Sequence, residues 1–169
     1  MDIADESCQR HEMAGPIKMM NKILLAYDGS EGADLALNDM AHAGFPAMAE
    51  GKVLCVADVW LPAEPRPGEE SFPEDERFAA VHKRAADALR DATEIAEGAA
   101  ELLRKHFPNW KVSPAASADS PAWGILAEAK SWKSEWIVIG SHGRTPLEKL
   151  FVGSVSYKVA AEAACSVRV

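Results

Sequence analysis

The sequence WIVIGSHGR at residues 136–144 decides the fold. The four apolar residues Trp136–Ile139 predict a short strand that is buried on both of its faces. Gly140 and Gly143 follow at once, so the strand should lead into a loop whose main chain can turn sharply and approach another group closely. Strands with continuous rather than alternating apolar residues are typical of parallel sheets that helices cover on both sides.

The chain on either side of this stretch alternates strand and helix patterns. Further apolar runs predict strands at 23–27, 53–57, 110–116 and 165–169, and Pro114 makes the third of these the weakest. Apolar residues at helical spacing predict four helices, at 33–41, 74–106, 121–129 and 155–163. We therefore predict an α/β fold, a doubly wound five-stranded parallel sheet with helices on both faces.

Length and charge narrow the function classes. The 169 residues suffice for one domain. We assign that domain to residues 20–169 and interpret residues 1–19, which lack the apolar core of a secretion signal, as a tail that can be disordered. Residues 62–76 hold four prolines and predict a long loop. The formal net charge of −8 disfavours binding to nucleic acid, which needs a cationic surface.

Cysteines and hydropathy point to a location. The three cysteines are far apart and form no zinc-binding spacing, which favours a reducing compartment and predicts a cytoplasmic protein. No stretch approaches the roughly 18 apolar residues of a membrane span, so we expect no membrane partner.

Two strand ends carry candidate binding residues. One is Asp28, which is followed by Gly29 and Ser30. The other is the loop that begins at Gly140, with a second part at Gly153 and Ser154 that should open the last helix. Free N–H groups at a helix N-terminus suit a phosphate, and Ser154 could either cap the helix or bind a phosphate oxygen. From residue 140 onward four basic residues face two acidic ones, which agrees with an anionic ligand.

Other residues of the loop leave alternatives open. Arg144 is a candidate phosphate contact, with a solvated loop arginine as the equal alternative. His142 could sense a phosphate charge, although a merely tolerated loop histidine is the more common case. The chain has neither a P-loop lysine motif nor a nucleophile elbow, so binding without efficient chemistry is the economical interpretation.

The spacing of the glycines resembles the signature of a known protein family. Gly140-x2-Gly143-x9-Gly153-Ser154 resembles the ATP-binding signature of the universal stress protein family, and the resemblance extends over roughly residues 20–169. It implies the strand order 3-2-1-4-5, a cytoplasmic homodimer and bound ATP with Mg²⁺ or Mn²⁺. It also implies a nucleotide site in which Asp28 contacts ribose or the metal and the main chain of Val56 contacts adenine, the whole set being Asp28, Val56, Gly140, Gly143, Arg144, Gly153 and Ser154.

The resemblance also has departures. Asp119 and Ser120 stand where the family often has glycine, Glu135 replaces a common aspartate, and the last strand is short. The leading hypothesis is a nucleotide-binding regulatory protein of the stress response that takes ATP at the carboxyl ends of strands 1 and 4. The alternatives are a family member that acts through an unidentified protein partner without ATP, or a slow ATPase.

Overall fold

Strands and helices alternate along the chain in the computed structural model, which describes residues 21–59, 76–143 and 153–169, and the side chains of these ranges except those of residues 76–79. The predicted tail at 1–19 and nearly all of the predicted loop at 62–76 lie outside the described residues. The elements are β1 (Asn21–Ala26), α1 (Glu31–Met40), β2 (Ala49–Ala57), α2 (Glu76–His106), β3 (Lys111–Ala118), α3 (Pro121–Trp132), β4 (Trp136–Ile139), α4 (Ser154–Glu162) and β5 (Ser166–Arg168).

The sheet has the predicted architecture. Its five strands are parallel and lie in the order β3-β2-β1-β4-β5. The chain moves outward from β1 through β2 to β3, and then returns across the sheet to β4 and β5. The order therefore reverses between β1 and β4, which makes the carboxyl ends of these two strands the switch point where ligands bind in such folds.

Helices cover both faces of the sheet, as predicted. Helices α1 and α2 contribute Leu37, Met40 and Leu103 to one core, together with the inward residues of β1 and β2 on that face. Helices α3 and α4 contribute Ile125 and Val159 to the second core on the opposite face. Because alternate residues of the central strands enter different cores, both sets must be apolar, which explains the continuous apolar runs.

Strand β2 begins four residues earlier than the apolar run predicted. Glu50 is polar, but its partners in register are Lys22 on β1 and Lys111 on β3, so opposite charges stand side by side across three strands. Gly51 faces inward, where a Cβ atom would lie 3.2 Å from the Trp110 ring. Close packing at Gly51 thus extends the strand where hydropathy alone does not.

Strand β3 lies at the edge of the sheet and contains Pro114, whose partner in register is Val53. An edge position tolerates proline because only one side of the strand must supply N–H donors. The strand runs to Ala118, two residues past the prediction. Within the described ranges, no helix is both long enough and apolar enough to cross a membrane.

Candidate functional site

A cavity of about 560 Å³ opens at the switch point of the sheet, within the range usual for small-molecule sites. The ends of β1, β2 and β4 form its floor, and α2, α3 and the start of α4 form its walls. It brings together six of the seven predicted site residues, namely Asp28, Val56, Gly140, Gly143, Gly153 and Ser154. The seventh, Arg144, lies outside the described residues.

The turn after β1 fixes the Asp28 carboxylate at the cavity. Gly29 has φ of 78°, a left-handed conformation that glycine adopts without strain. This turn lets Asp28 Oδ1 accept a hydrogen bond of 3.0 Å from the N–H of Ser30. Ser30 is in turn the N-cap of α1, where its side chain accepts from the N–H of Ala33 at 3.2 Å. The carboxylate is thus held by the same turn that starts the helix.

Gly143 faces this carboxylate. A Cβ atom added at Gly143 would lie 3.0 Å from Asp28 Oδ2. The loop after β4 and the turn after β1 therefore meet at the cavity, with the carboxylate on one side and a residue without a side chain on the other. The sequence analysis named both strand ends as candidate binding segments, and the structure shows that they are in contact.

Gly140 permits the close approach that was expected of it, and the group that it approaches is the main chain of α1. A Cβ atom at Gly140 would lie 2.6 Å from the carbonyl carbon and oxygen of Gly32, and one at Gly32 would clash with the carbonyl oxygen of His142. The first turn of α1 and the loop after β4 are packed main chain to main chain. Among the described glycines only Gly29 and Gly44 have positive φ, so Gly140 is required for close packing rather than for a sharp turn.

Helix α4 starts at the cavity. Its N-cap is Gly153, and Ser154 is the first helical residue, with an exposed side chain. Of the two alternatives for Ser154, the structure excludes the helix cap, because Gly153 holds the N-cap position. Ser154 and the first turn of α4 line the cavity, and the N-terminus of a helix suits an anion.

Ser156 is a site residue that the sequence analysis missed. It is 2% exposed, and its hydroxyl lies 3.0 Å from the carbonyl oxygens of Ser141 and of Gly153. The Ser141 carbonyl also accepts from the N–H of Gly153 at 2.7 Å. These contacts tie the loop after β4 to the first turn of α4. The serine is one of several in the chain, so no local signal distinguished it.

The main chain of Val56 faces the cavity. The C=O of Leu54 accepts from the N–H of Tyr27 at 2.9 Å, so Leu54 directs its main-chain groups toward β1. Val56 follows Leu54 by two residues, so its N–H and C=O point to the same side of β2. At that position β1 has already ended and offers no partner strand. The N–H and C=O of Val56 thus lie beyond the β1–β2 ladder, beside the cavity that the residue lines.

Helix α2 supplies a wall that was not predicted. Ala88, Asp91 and Ala92 line the cavity together with Asp58 and Val59, the residues that follow β2. Alanines at these positions leave room between the helix and the sheet. The alanine-rich face of this long helix was visible in the sequence. Which of its alanines would lie beside the strand ends depends on tertiary packing, so the wall could not be predicted.

The electrostatics of the cavity are acidic. Of the described residues that line it, Asp28, Asp58 and Asp91 are carboxylates and none is lysine or arginine. Burial, assisted by a hydrogen bond to Asp34, raises the pKa of Tyr27 to about 12. Tyr27 is therefore a neutral donor at any physiological pH. An anionic ligand beside Asp28, Asp58 and Asp91 would be repelled by their charges, and a bound cation would offset this repulsion.

His142 is oriented by its neighbour, since Ser141 Oγ lies 3.0 Å from His142 Nδ1. Its Nε2 is buried and has no hydrogen-bond partner among the described residues. The carbonyl oxygen of His142, not its ring, makes the contact with the α1 cap, at 3.4 Å from Ser30 Oγ. His142 therefore contributes to the packing of the loop against α1 through its main-chain carbonyl.

Comparison with known proteins identifies the family of the chain. A model of the universal stress protein family matches residues 19–169. A universal stress protein of Thermus aquaticus is 35% identical over 151 residues, which is 88% of this chain and 97% of that protein.

Solved structures share the fold. The universal stress protein UspA from Lactobacillus plantarum superposes with a TM-score of 0.67 at 21% identity, over 89% of this chain and 97% of its own. A universal stress protein from Archaeoglobus fulgidus, solved in complex with dAMP, has a TM-score of 0.50 at 18% identity and covers 88% of this chain and 94% of its own. Because the family model matches residues 19–169 of the 169 residues, the chain belongs to the universal stress protein family.

Proposed function

We propose that this protein is a cytoplasmic regulator of the stress response that binds ATP in the cavity at the carboxyl ends of β1 and β4. The observation that carries the proposal is the convergence of Asp28, Gly143 and the N-terminus of α4 on one cavity of about 560 Å³. A carboxylate, a side-chain-free loop and a helix N-terminus are the groups that a nucleotide with its metal ion requires.

The phosphates belong at the end of the cavity formed by Gly143, Gly153 and Ser154. The N–H groups at the start of α4 have no intrahelical acceptors, and the helix dipole favours negative charge there. The exposed Ser154 hydroxyl adds a further donor. The other end, next to Val56 and the apolar wall of α2, suits the base. The Archaeoglobus relative supports the assignment, because in that protein the same fold is found with an adenine nucleotide.

The direct test is the nucleotide content of the purified protein. Mass spectrometry of the supernatant after denaturation should detect ATP, and calorimetry on nucleotide-free protein should then give a saturable isotherm with Mg²⁺-ATP. Phosphate release during the same incubation would reveal the slow ATPase alternative. Absence of both bound nucleotide and a binding isotherm would instead favour a protein that acts through a partner without ATP.

The metal ion should depend on Asp28. Mg²⁺ commonly uses one or two carboxylates together with phosphate oxygens, and no cluster of three or more ligands exists among the described residues to hold it without the nucleotide. The donors available therefore fit Mg²⁺ or Mn²⁺ that binds jointly with ATP. The ion would offset repulsion between the phosphates and the acidic lining.

Chelation should consequently weaken ATP binding severalfold in the wild type and much less in Asp28→Ala. Calorimetric titrations with ATP, in Mg²⁺ and in EDTA, measure the dissociation constants of both proteins. Asp58→Ala is the matched control, since it removes another carboxylate that lines the same cavity, after β2 rather than β1, and should keep the wild-type response to EDTA. Equal sensitivity in wild type and Asp28→Ala would show that Asp28 does not hold the ion.

We also propose a homodimer that pairs through β5. This strand lies at the edge of the sheet and is bonded to β4 on one side only. Its one charged residue, Arg168, donates to Asp39 Oδ2 of α1 at 2.8 Å, so the guanidinium folds back onto its own subunit. The charge therefore does not stand in the way of a second strand.

A further inference from the structure

The buried hydroxyl of Ser156 connects two segments that are far apart in sequence. It lies 3.0 Å from the carbonyl oxygen of Ser141, fifteen residues earlier, and 3.0 Å from that of Gly153 in its own helix. A hydroxyl has a single proton and can donate to only one of these carbonyls at a time. When it donates to the Ser141 carbonyl, the side chain connects the loop after β4 to the first turn of α4.

Neither carbonyl needs this hydroxyl for its own satisfaction. The Ser141 carbonyl already accepts from the N–H of Gly153 at 2.7 Å, and the Gly153 carbonyl accepts from the N–H of Tyr157 at 2.9 Å. Loss of the hydroxyl would leave no buried acceptor without a donor, which is the usual source of a large cost in stability. The contribution of Ser156 is therefore to geometry more than to folding.

We propose that Ser156 is a positioning residue for the phosphate groups of the bound nucleotide. It sets the start of α4 against the loop that carries Gly143, so that donors from both segments point at one anion. The inference rests on the proposed function, because it assigns a role within the same cavity. We further infer that a substitution at Ser156 can weaken recognition of the phosphates without weakening recognition of the base.

The separation follows from which elements form each end of the cavity. The base end is formed by Val56 and by α2, through Ala88 and Ala92. The phosphate end is formed by the two segments that Ser156 connects. A small shift of α4 relative to the loop should therefore weaken contacts to phosphate and leave those to adenosine in place.

The test compares two ligands on matched variants. Ser156→Ala should weaken Mg²⁺-ATP binding about fivefold, the loss expected for one hydrogen bond, while the dissociation constant of adenosine stays within about twofold. Ser156→Thr keeps the hydroxyl and should restore ATP affinity. Ser134→Ala is the control, because it removes another buried hydroxyl, one without a partner, at the opposite end of β4. It should leave both affinities unchanged.

Each other outcome has a definite meaning. An unchanged ATP affinity in Ser156→Ala, or equal losses for ATP and adenosine, would overturn the positioning role while leaving the proposed function intact. A Ser156→Ala protein that is unfolded at 25 °C by circular dichroism would also overturn it, because the hydroxyl would then be a requirement of folding. Failure of the wild type to bind either ligand would overturn the proposed function itself and this inference with it.

Discussion

Replacing Gly143 by valine should weaken ATP binding at least tenfold, which corresponds to about 1.4 kcal/mol. The first added carbon would already lie 3.0 Å from Asp28 Oδ2, closer than an ordinary van der Waals contact. The two methyl groups of valine extend further, into the space between this carboxylate and the helix N-terminus where the phosphates and metal ion would sit. The substitution should therefore act on both the phosphates and the ion.

The main chain should accept the substitution. Gly143 is not among the residues with positive φ, so a side chain there causes no left-handed strain. Gly98→Val on α2 is the control for the same chemical change, because a Cβ at Gly98 has no atom within 4 Å. Calorimetry should find weakened ATP binding in Gly143→Val alone, with both proteins folded by circular dichroism. Wild-type affinity in a folded Gly143→Val protein would remove Gly143 from the site.

The fold was predictable because its signals are local. Apolar runs such as Ile137–Ile139 report strands that are buried on both faces, and helical spacing between them reports the crossovers. A strand-helix alternation of this kind leaves few topologies other than a doubly wound sheet. The start of β2 was missed because Glu50 interrupts the apolar pattern, and its register partners Lys22 and Lys111 are neighbours across the sheet and not along the chain.

The site was predictable only in part, for the same reason. The glycines at 140, 143 and 153 form a spaced pattern within one stretch, so the sequence marks them as a set. The reason for Gly140 lies in Gly32, which is more than a hundred residues away in the chain and meets it main chain to main chain. The role of Ser156 depends on its distance from Ser141, and the α2 wall depends on helix packing. Such contacts exist only once the chain has folded.

Deletion of Val167–Val169 should shift the protein from dimer toward monomer while ATP binding persists. The deletion removes most of β5, whose outer edge presents unpaired N–H and C=O groups that a second copy related by a two-fold axis would satisfy. The cavity is formed by residues up to Ser156, all upstream of the deleted strand. Assembly and nucleotide binding should therefore respond independently to this change.

A control separates strand pairing from the loss of Arg168. The ion pair between Arg168 and Asp39 is exposed and contributes little stability, so Arg168→Ala should remain a dimer. Light scattering at micromolar concentration should give twice the mass of one chain for the wild type and for Arg168→Ala, and a lower mass for the deletion. A wild-type mass of one chain would refute the dimer. An intact dimer after the deletion would place the interface outside residues 167–169.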